Sequence, residues 1–192
     1  MYVKDCLGQQ FIHDCQQLAQ AIVPSYAPDL VVGIRTGGAM VAKQLLASGV
    51  LRANYAELTA QRPSTHYKRK IRLDLLLCWL PKWLCNLLRI IEMKRNVMAF
   101  DPLRVTQRHV VLADEDKMMI CMARRLLVID DAVDSGATLR TVCEFLQHIN
   151  PNAELRTAVL TVTFPAPLQQ PDFSLYRNVL LRFPWSADVR GI

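Results

Sequence analysis

Apolar residues recur along the chain with two different periods. Residues 8–22 place Phe11, Ile12, Cys15, Leu18, Ala19 and Ile22 at three- and four-residue intervals, which predicts a helix that Pro24 and Pro28 end. Residues 29–34 are a short β-branched run and read as a buried strand. A tight loop, Arg35-Thr36-Gly37-Gly38, follows, then a helix over 39–48 closed by Gly49, and a strand over 50–58. Residues 62–72 are polar and basic. Residues 73–95 are apolar nearly all round and read as two short amphipathic helices broken at Pro81. Further strands are expected over 110–113, 124–131, 155–164 and 179–183, with a helix over 138–149. Strands that alternate with helices predict an α/β fold with a parallel sheet. Ligands of such sheets bind at the carboxyl ends of the strands.

Composition narrows the picture. The chain has 192 residues, 52% of them hydrophobic and 21% charged, which fits one globular domain over 1–192 and excludes a disordered or fibrous chain. The most apolar stretch, 73–91, carries Asp74, Pro81, Lys82 and Arg89, so no membrane span is expected. The first ten residues lack the apolar run of a secretory signal, which makes the cytoplasm the expected compartment. The six cysteines are scattered, with no pair at zinc-ligand spacing, and read as reduced and mostly buried thiols. The net charge is +6 and uneven: residues 60–125 hold 14 Lys and Arg against 6 Asp and Glu. That basic middle suits a polyanion: a phosphorylated small molecule, RNA or an acidic membrane surface.

The sharpest chemistry lies in 126–138, LLVIDDAVDSGAT. A buried strand delivers Asp130 and Asp131 at its carboxyl end. Asp134, Ser135, Gly136, Ala137 and Thr138 follow as a helix begins. Loop amides and a helix N-terminus make an anion cradle, hydroxyls add donors, and glycine lets backbone approach a phosphate. Asp130 and Asp131 would repel that phosphate. They suit ribose hydroxyls, or magnesium held through water. A helix cap needs one such residue, not three carboxylates in five positions.

The segment VIDDAVDSGATL resembles the diphosphoribosyl-binding signature of type I phosphoribosyltransferases, with Ser135 where Thr is more usual. The resemblance implies that fold, a parallel sheet flanked by helices with a small C-terminal hood, to which this chain adds a helical insert. It implies transfer of phosphoribosyl from phosphoribosyl diphosphate to a nucleobase, with Mg2+ and release of pyrophosphate. Asp130 and Asp131 would serve the ribose and the metal, and Asp134 to Thr138 would cradle the 5′-phosphate. Asp134 would also be catalytic, because 6-oxopurine members place an Asp there to handle the proton at purine N7. Residues 31–38, VVGIRTGG, are similar to the family's pyrophosphate loop, which assigns Arg35, Thr36, Gly37 and Gly38 to the diphosphate. Residues 62–67 fall where the family carries a lid, with Ser64, Tyr67, Lys68, Arg69 and Lys70 as its candidates. Residues 182–185, RFPW, resemble the hood of bacterial and archaeal purine enzymes, which makes Trp185 and Phe183 base contacts and leaves Arg190 within reach of the pyrophosphate. Relatives are often dimers or tetramers, so a homo-oligomer is expected.

Two features depart from that pattern. Oxopurine enzymes present a lysine from the strand after the signature helix; here that strand is AVLTVTFP, with Thr163 or a neighbour at the place, and no lysine follows Lys117. Residues 71–105 are an insert with Trp79, Trp83, Leu87, Leu88, Ile90 and Ile91 beside Lys82, Arg89, Lys94 and Arg95. It can cap its own domain, cover the site, join a second copy or lie on an anionic membrane. The alternative function is a catalytically weak nucleotide sensor or RNA-binding regulator.

Overall fold

A computed structural model describes residues 1–61, 81–102, 108–186 and 189. Their elements are β1 (Tyr2–Asp5), α1 (Gln9–Ile22), β2 (Leu30–Arg35), α2 (Gly37–Ala47), β3 (Asn54–Gln61), α3 (Lys82–Met98), β4 (His109–Leu112), α4 (Asp114–Met122), β5 (Arg125–Val133), α5 (Ala137–Ile149), β6 (Glu154–Val162), β7 (Phe173–Arg177) and β8 (Val179–Arg182). The expected lid residues Ser64 to Lys70, the first expected helix of the insert, and Arg190 lie outside the described residues.

Six strands form the main sheet in the order β4-β3-β2-β5-β6-β7. Alternation within the central strands builds two cores. Val31, Leu127 and Ile129 face α1 and α2, where they meet Cys15, Leu18, Ile22, Val41 and Leu45. Leu30, Val32, Leu126 and Val128 face the other way, toward Leu139, Val142 and Leu146 of α5 and Ile120 of α4. Strands covered on both faces are continuously apolar, as residues 30–34 and 126–129 are. Each fully buried Leu or Ile there stabilises the fold by about 1.5–3 kcal/mol.

The sheet is mostly parallel, with β4 antiparallel to β3 at one edge. The last strand, β8, pairs with β1 in a separate parallel ribbon, with Tyr2 opposite Val179 and Asp5 opposite Arg182. Two expected bounds are corrected. The described part of the insert is one helix of 17 residues that runs past Arg95 to Met98, with nothing in its sequence to stop it sooner. The third strand begins at Asn54, not Val50. Three elements were not expected: β1, α4 and β7.

The β1–β8 ribbon is the hood, and it is tied down twice. Arg182 is buried and donates to Asp5 Oδ1 at 2.5 Å and to Asn86 Oδ1 at 2.6 Å, which links β8 to β1 and to α3. Phe164, Leu180 and Met93 form a small core there, joined by Val3, Ile90 and Val97. On the other side the fully buried Asp14 of α1 accepts from Gln10 Nε2 at 2.7 Å and from Tyr176 Oη of β7 at 2.8 Å. Lys4 of β1 pairs with the same carboxylate and with Tyr176. Burial works against the Lys4 ammonium, but Tyr176 and Asp14 outweigh it and raise its pKa. The hood is therefore fixed to the main sheet by a charged joint, not by apolar packing alone.

Candidate active site

Strands β2 and β5 are neighbours and run the same way, with Gly33 opposite Ile129. Both therefore end at the same edge of the sheet. The Arg35–Gly38 turn and the Asp130–Thr138 segment emerge side by side.

Glycine decides how closely they meet. A methyl group at Gly37 would overlap the Asp131 carboxyl group, reaching its Cβ at 3.0 Å and its outer atoms closer still. One at Gly38 would stand 2.7 Å from Asp130 Cα. The β2–α2 turn is thus pressed against the acidic strand end, and only glycine fits at both positions. The Arg35–Thr36 peptide beside them is cis. Arg35 itself is exposed and engages Glu57 of β3, with Nε at 3.0 Å from Oε1 and a second, shorter contact from Nη2. That partner was not foreseen. Hydrogen bonds from Arg35 and Tyr55 hold the Glu57 carboxyl down at about 2.

The two carboxylates are organised differently. The Asp131 amide donates to Asp130 Oδ1 at 2.9 Å, and the Ala132 amide donates to Asp131 Oδ1 at 2.9 Å. Asp131 Oδ2 accepts from Trp185 Nε1 at 3.0 Å. Burial, and then the neighbouring Asp131 charge, push the Asp130 carboxyl well above its usual range. Burial raises Asp131 too, against the pull of the Trp185 N–H. Two adjacent carboxylates that resist joint ionisation form a site that a hydroxyl donor or a cation would satisfy. Among the described residues no group of three or more His, Cys, Asp or Glu could hold a metal alone. Magnesium carried by one or two carboxylates together with substrate phosphates fits such a donor set.

Trp185 is brought to the acidic edge although it lies 54 residues from Asp131. Its ring stacks on Phe183 at 4.8 Å and 5°, and meets the edge of Phe11 of α1 at 5.6 Å and 88°. Phe183 is only 5% exposed, which corrects its expected role: it lies beneath Trp185 and supports it instead of presenting a face to a base. Trp185 is half-buried.

Asp134 is exposed at the loop, and Thr163 Oγ1 donates to its Oδ1 at 2.5 Å. Thr163 is 2% exposed, and its own amide donates to Val133 O at 2.9 Å, so both residues are fixed by the parallel β5–β6 pair. The sequence put Thr163 at the place of the absent lysine; its partnership with Asp134 carries no sequence signal.

Gly136 is left-handed at φ 77° and starts α5. A side chain there would strike Gln169, whose N is 2.7 Å from the Cβ position. The 165–172 connection packs against this loop, with the Leu168 amide donating to Ser135 O at 2.8 Å. A polar hollow of about 80 Å3 is lined by Asp130, Ala132 to Leu139 and Arg108. The amides of the first turn of α5 have no acceptor within the helix, so the hollow suits an anion. Arg108 was missed by sequence reasoning. It lies 22 residues before Asp130 in a generally basic stretch, and only the β4–β3 pairing brings it here.

Residues 104–186 match the family model described as phosphoribosyl transferase domain. Solved structures align over almost the whole chain. This is the type I phosphoribosyltransferase fold. The purine phosphoribosyltransferase of Pyrococcus horikoshii is 18% identical, covers 97% of this chain and 95% of its own, and has a TM-score of 0.59. The xanthine-guanine-hypoxanthine phosphoribosyltransferase of Helicobacter pylori is 17% identical over 98% and 97%, with a TM-score of 0.62. A hypothetical protein from Neisseria gonorrhoeae with bound ppGpp is 15% identical over 99% and 93%, with a TM-score of 0.59. No curated protein matches in sequence. The matched residues run from β4 to β8 and so include the acidic strand end, the polar hollow, and Phe183 and Trp185. The β2–α2 turn lies before them.

Proposed function

We propose that this chain transfers the phosphoribosyl group of phosphoribosyl diphosphate to a purine base and releases pyrophosphate. The observation that carries this reading is the joint at Asp131: one carboxylate touches the Gly37 backbone turn and is bonded to Trp185. A turn suited to the diphosphate, an acidic edge suited to the ribose, an anion hollow and an aromatic ring then surround one position.

The roles follow from the chemistry. The 5′-phosphate lies in the hollow of Asp134 to Thr138, on the N-terminus of α5, with Arg108 adding a positive charge. Asp130 and Asp131 take the ribose hydroxyls. The Arg35–Gly38 turn takes the diphosphate, and Arg35 exchanges part of its contact with Glu57 for it. Trp185, backed by Phe183, gives the base a flat apolar contact. As the C1–O bond breaks and a base nitrogen bonds to C1, the base loses a proton. Asp134 accepts it, held in place by Thr163. A positioned carboxylate of this kind contributes about 10²–10⁴-fold. Magnesium, held by Asp130 and Asp131 through water, would neutralise charge on the leaving diphosphate.

The test is pyrophosphate release with magnesium, phosphoribosyl diphosphate and a panel of guanine, hypoxanthine, xanthine, adenine, uracil and orotate. Release with a purine is expected. Release with orotate or uracil alone overturns the base assignment. A second reading, a nucleotide sensor, is favoured by Thr163 at the place of the usual lysine and by the ppGpp-bound neighbour. It predicts tight nucleotide binding with no turnover on any base.

A further inference from the structure

Helix α3 turns one side to the hood and the other to solvent. Cys85 and Met93 are buried, and Ile90 and Val97 pack on the hood core. On the outer side Trp83, Leu87 and Ile91 are spaced four residues apart and are 67%, 46% and 45% exposed. Leu88 and Met98 add to the same side, and Lys94 and Arg95 stand exposed at its end. Large apolar side chains at helical spacing are seldom left in water on a monomer. None of the roles proposed above uses them.

Charge selects among the occupants. Residues 82–98 carry four Lys and Arg against Glu92, a net of +3, and the surrounding stretch 60–125 carries more than the whole net charge of the chain. A second copy would bring the exposed Lys94 and Arg95 of each chain to the same apolar contact, like charge beside like. A nucleic acid would satisfy the cations but leave the indole, leucines and isoleucine in water. An acidic bilayer satisfies both, because the aliphatic side enters the acyl boundary while the cations meet headgroups. No helix among the described residues is long and apolar enough to cross a membrane. We propose that the outer face of α3 is a peripheral docking surface for a bilayer of anionic phospholipid, laid flat along the helix. This reading is independent of the proposed transfer reaction.

The test is co-sedimentation of the full chain with vesicles of phosphatidylcholine alone and with roughly one third phosphatidylglycerol added. Binding to the acidic vesicles, weakened by salt and absent from neutral ones, is expected. Leu87→Glu with Ile91→Glu should cut it at least about tenfold. Lys94→Glu with Arg95→Glu should do the same through charge, at about fivefold per cation removed. All four positions are exposed, and unchanged thermal melting shows that the variants keep the fold. Failure to sediment with either vesicle overturns the proposal. Equal binding to both vesicles overturns it as well. So does a dimer that Leu87→Glu with Ile91→Glu dissociates without any vesicle binding, or an RNA complex that outcompetes the vesicles.

Discussion

Replacing Gly37 with alanine is a one-carbon test of the joint between the β2–α2 turn and the acidic strand end. The added methyl would lie 3.0 Å from Asp131 Cβ and closer to the carboxyl group itself. The carboxylate would have to move by about 1 Å or more to restore ordinary van der Waals contact. It is not free to move, because Oδ1 accepts from the Ala132 amide at 2.9 Å and Oδ2 from Trp185 Nε1 at 3.0 Å. Either the Trp185 bond breaks or α2 backs away from β5. Loss of a hydrogen bond to a charged group and overpacking each cost about 1–3 kcal/mol. A net loss of about 2 kcal/mol lowers Tm by roughly 4–8 °C for a chain of this size. Under the proposed function, a misplacement of about 1 Å should also cost about 100-fold in kcat/KM. Calorimetry and pyrophosphate release read the two effects. The double variant Gly37→Ala with Asp131→Ala should recover stability but not activity. Gly49→Ala is the control: Gly49 has a positive φ of 70° but open space around it, so it should lose only about 1–2 kcal/mol from backbone strain and keep its activity. A Gly37→Ala protein with unchanged Tm and unchanged turnover would refute the reasoning.

Three further outcomes are expected. Thr163→Val removes the hydroxyl that holds Asp134 at 2.5 Å, and should lower kcat by about 10- to 100-fold with little change in KM for phosphoribosyl diphosphate; an equal rise in KM would point to a lost binding contact instead. Glu57 is held down from 4.5 to about 2, so its ionised form favours the folded state above pH 4.5 and that contribution fades as pH falls toward 2; Glu57→Gln should remove this part of the acid sensitivity in melts across that range, and a wild-type slope in the variant would count against the Arg35–Glu57 pair. Lys4→Met leaves the fully buried Asp14 carboxylate without its cation and should destabilise the protein by about 3–5 kcal/mol in urea unfolding, whereas removing Lys4 and Asp14 together should cost less than the two single changes added.

The central strands were legible because burial on both faces writes itself as unbroken apolar runs, as at 126–129. The acidic strand end and the glycine turn were legible because their chemistry is local in sequence. What escaped depends on long-range pairing. β1 has only four residues, and its partner β8 is about 177 residues away, so neither announces a separate ribbon. β7 and α4 have mixed patterns that no periodicity rule separates from loop. Asp14 reads as an ordinary polar position on α1 until Lys4 and Tyr176 close on it. Arg108, Thr163 and Phe183 acquire their surroundings only from strand pairing and ring stacking, which is why the sequence missed the first, gave the second no partner and gave no sign that the third is buried against Trp185.

The measurement that bears most directly on the account is the mass of the product formed by wild-type and Asp134→Asn protein from phosphoribosyl diphosphate and each purine with magnesium. The wild type should yield one nucleoside monophosphate, with one pyrophosphate released per product. Asp134→Asn should form it at least about 100-fold more slowly while still binding phosphoribosyl diphosphate by calorimetry. Product at the wild-type rate from Asp134→Asn would contradict the assignment of the proton to Asp134. No product and no phosphoribosyl diphosphate binding by the wild type would contradict the site as a whole.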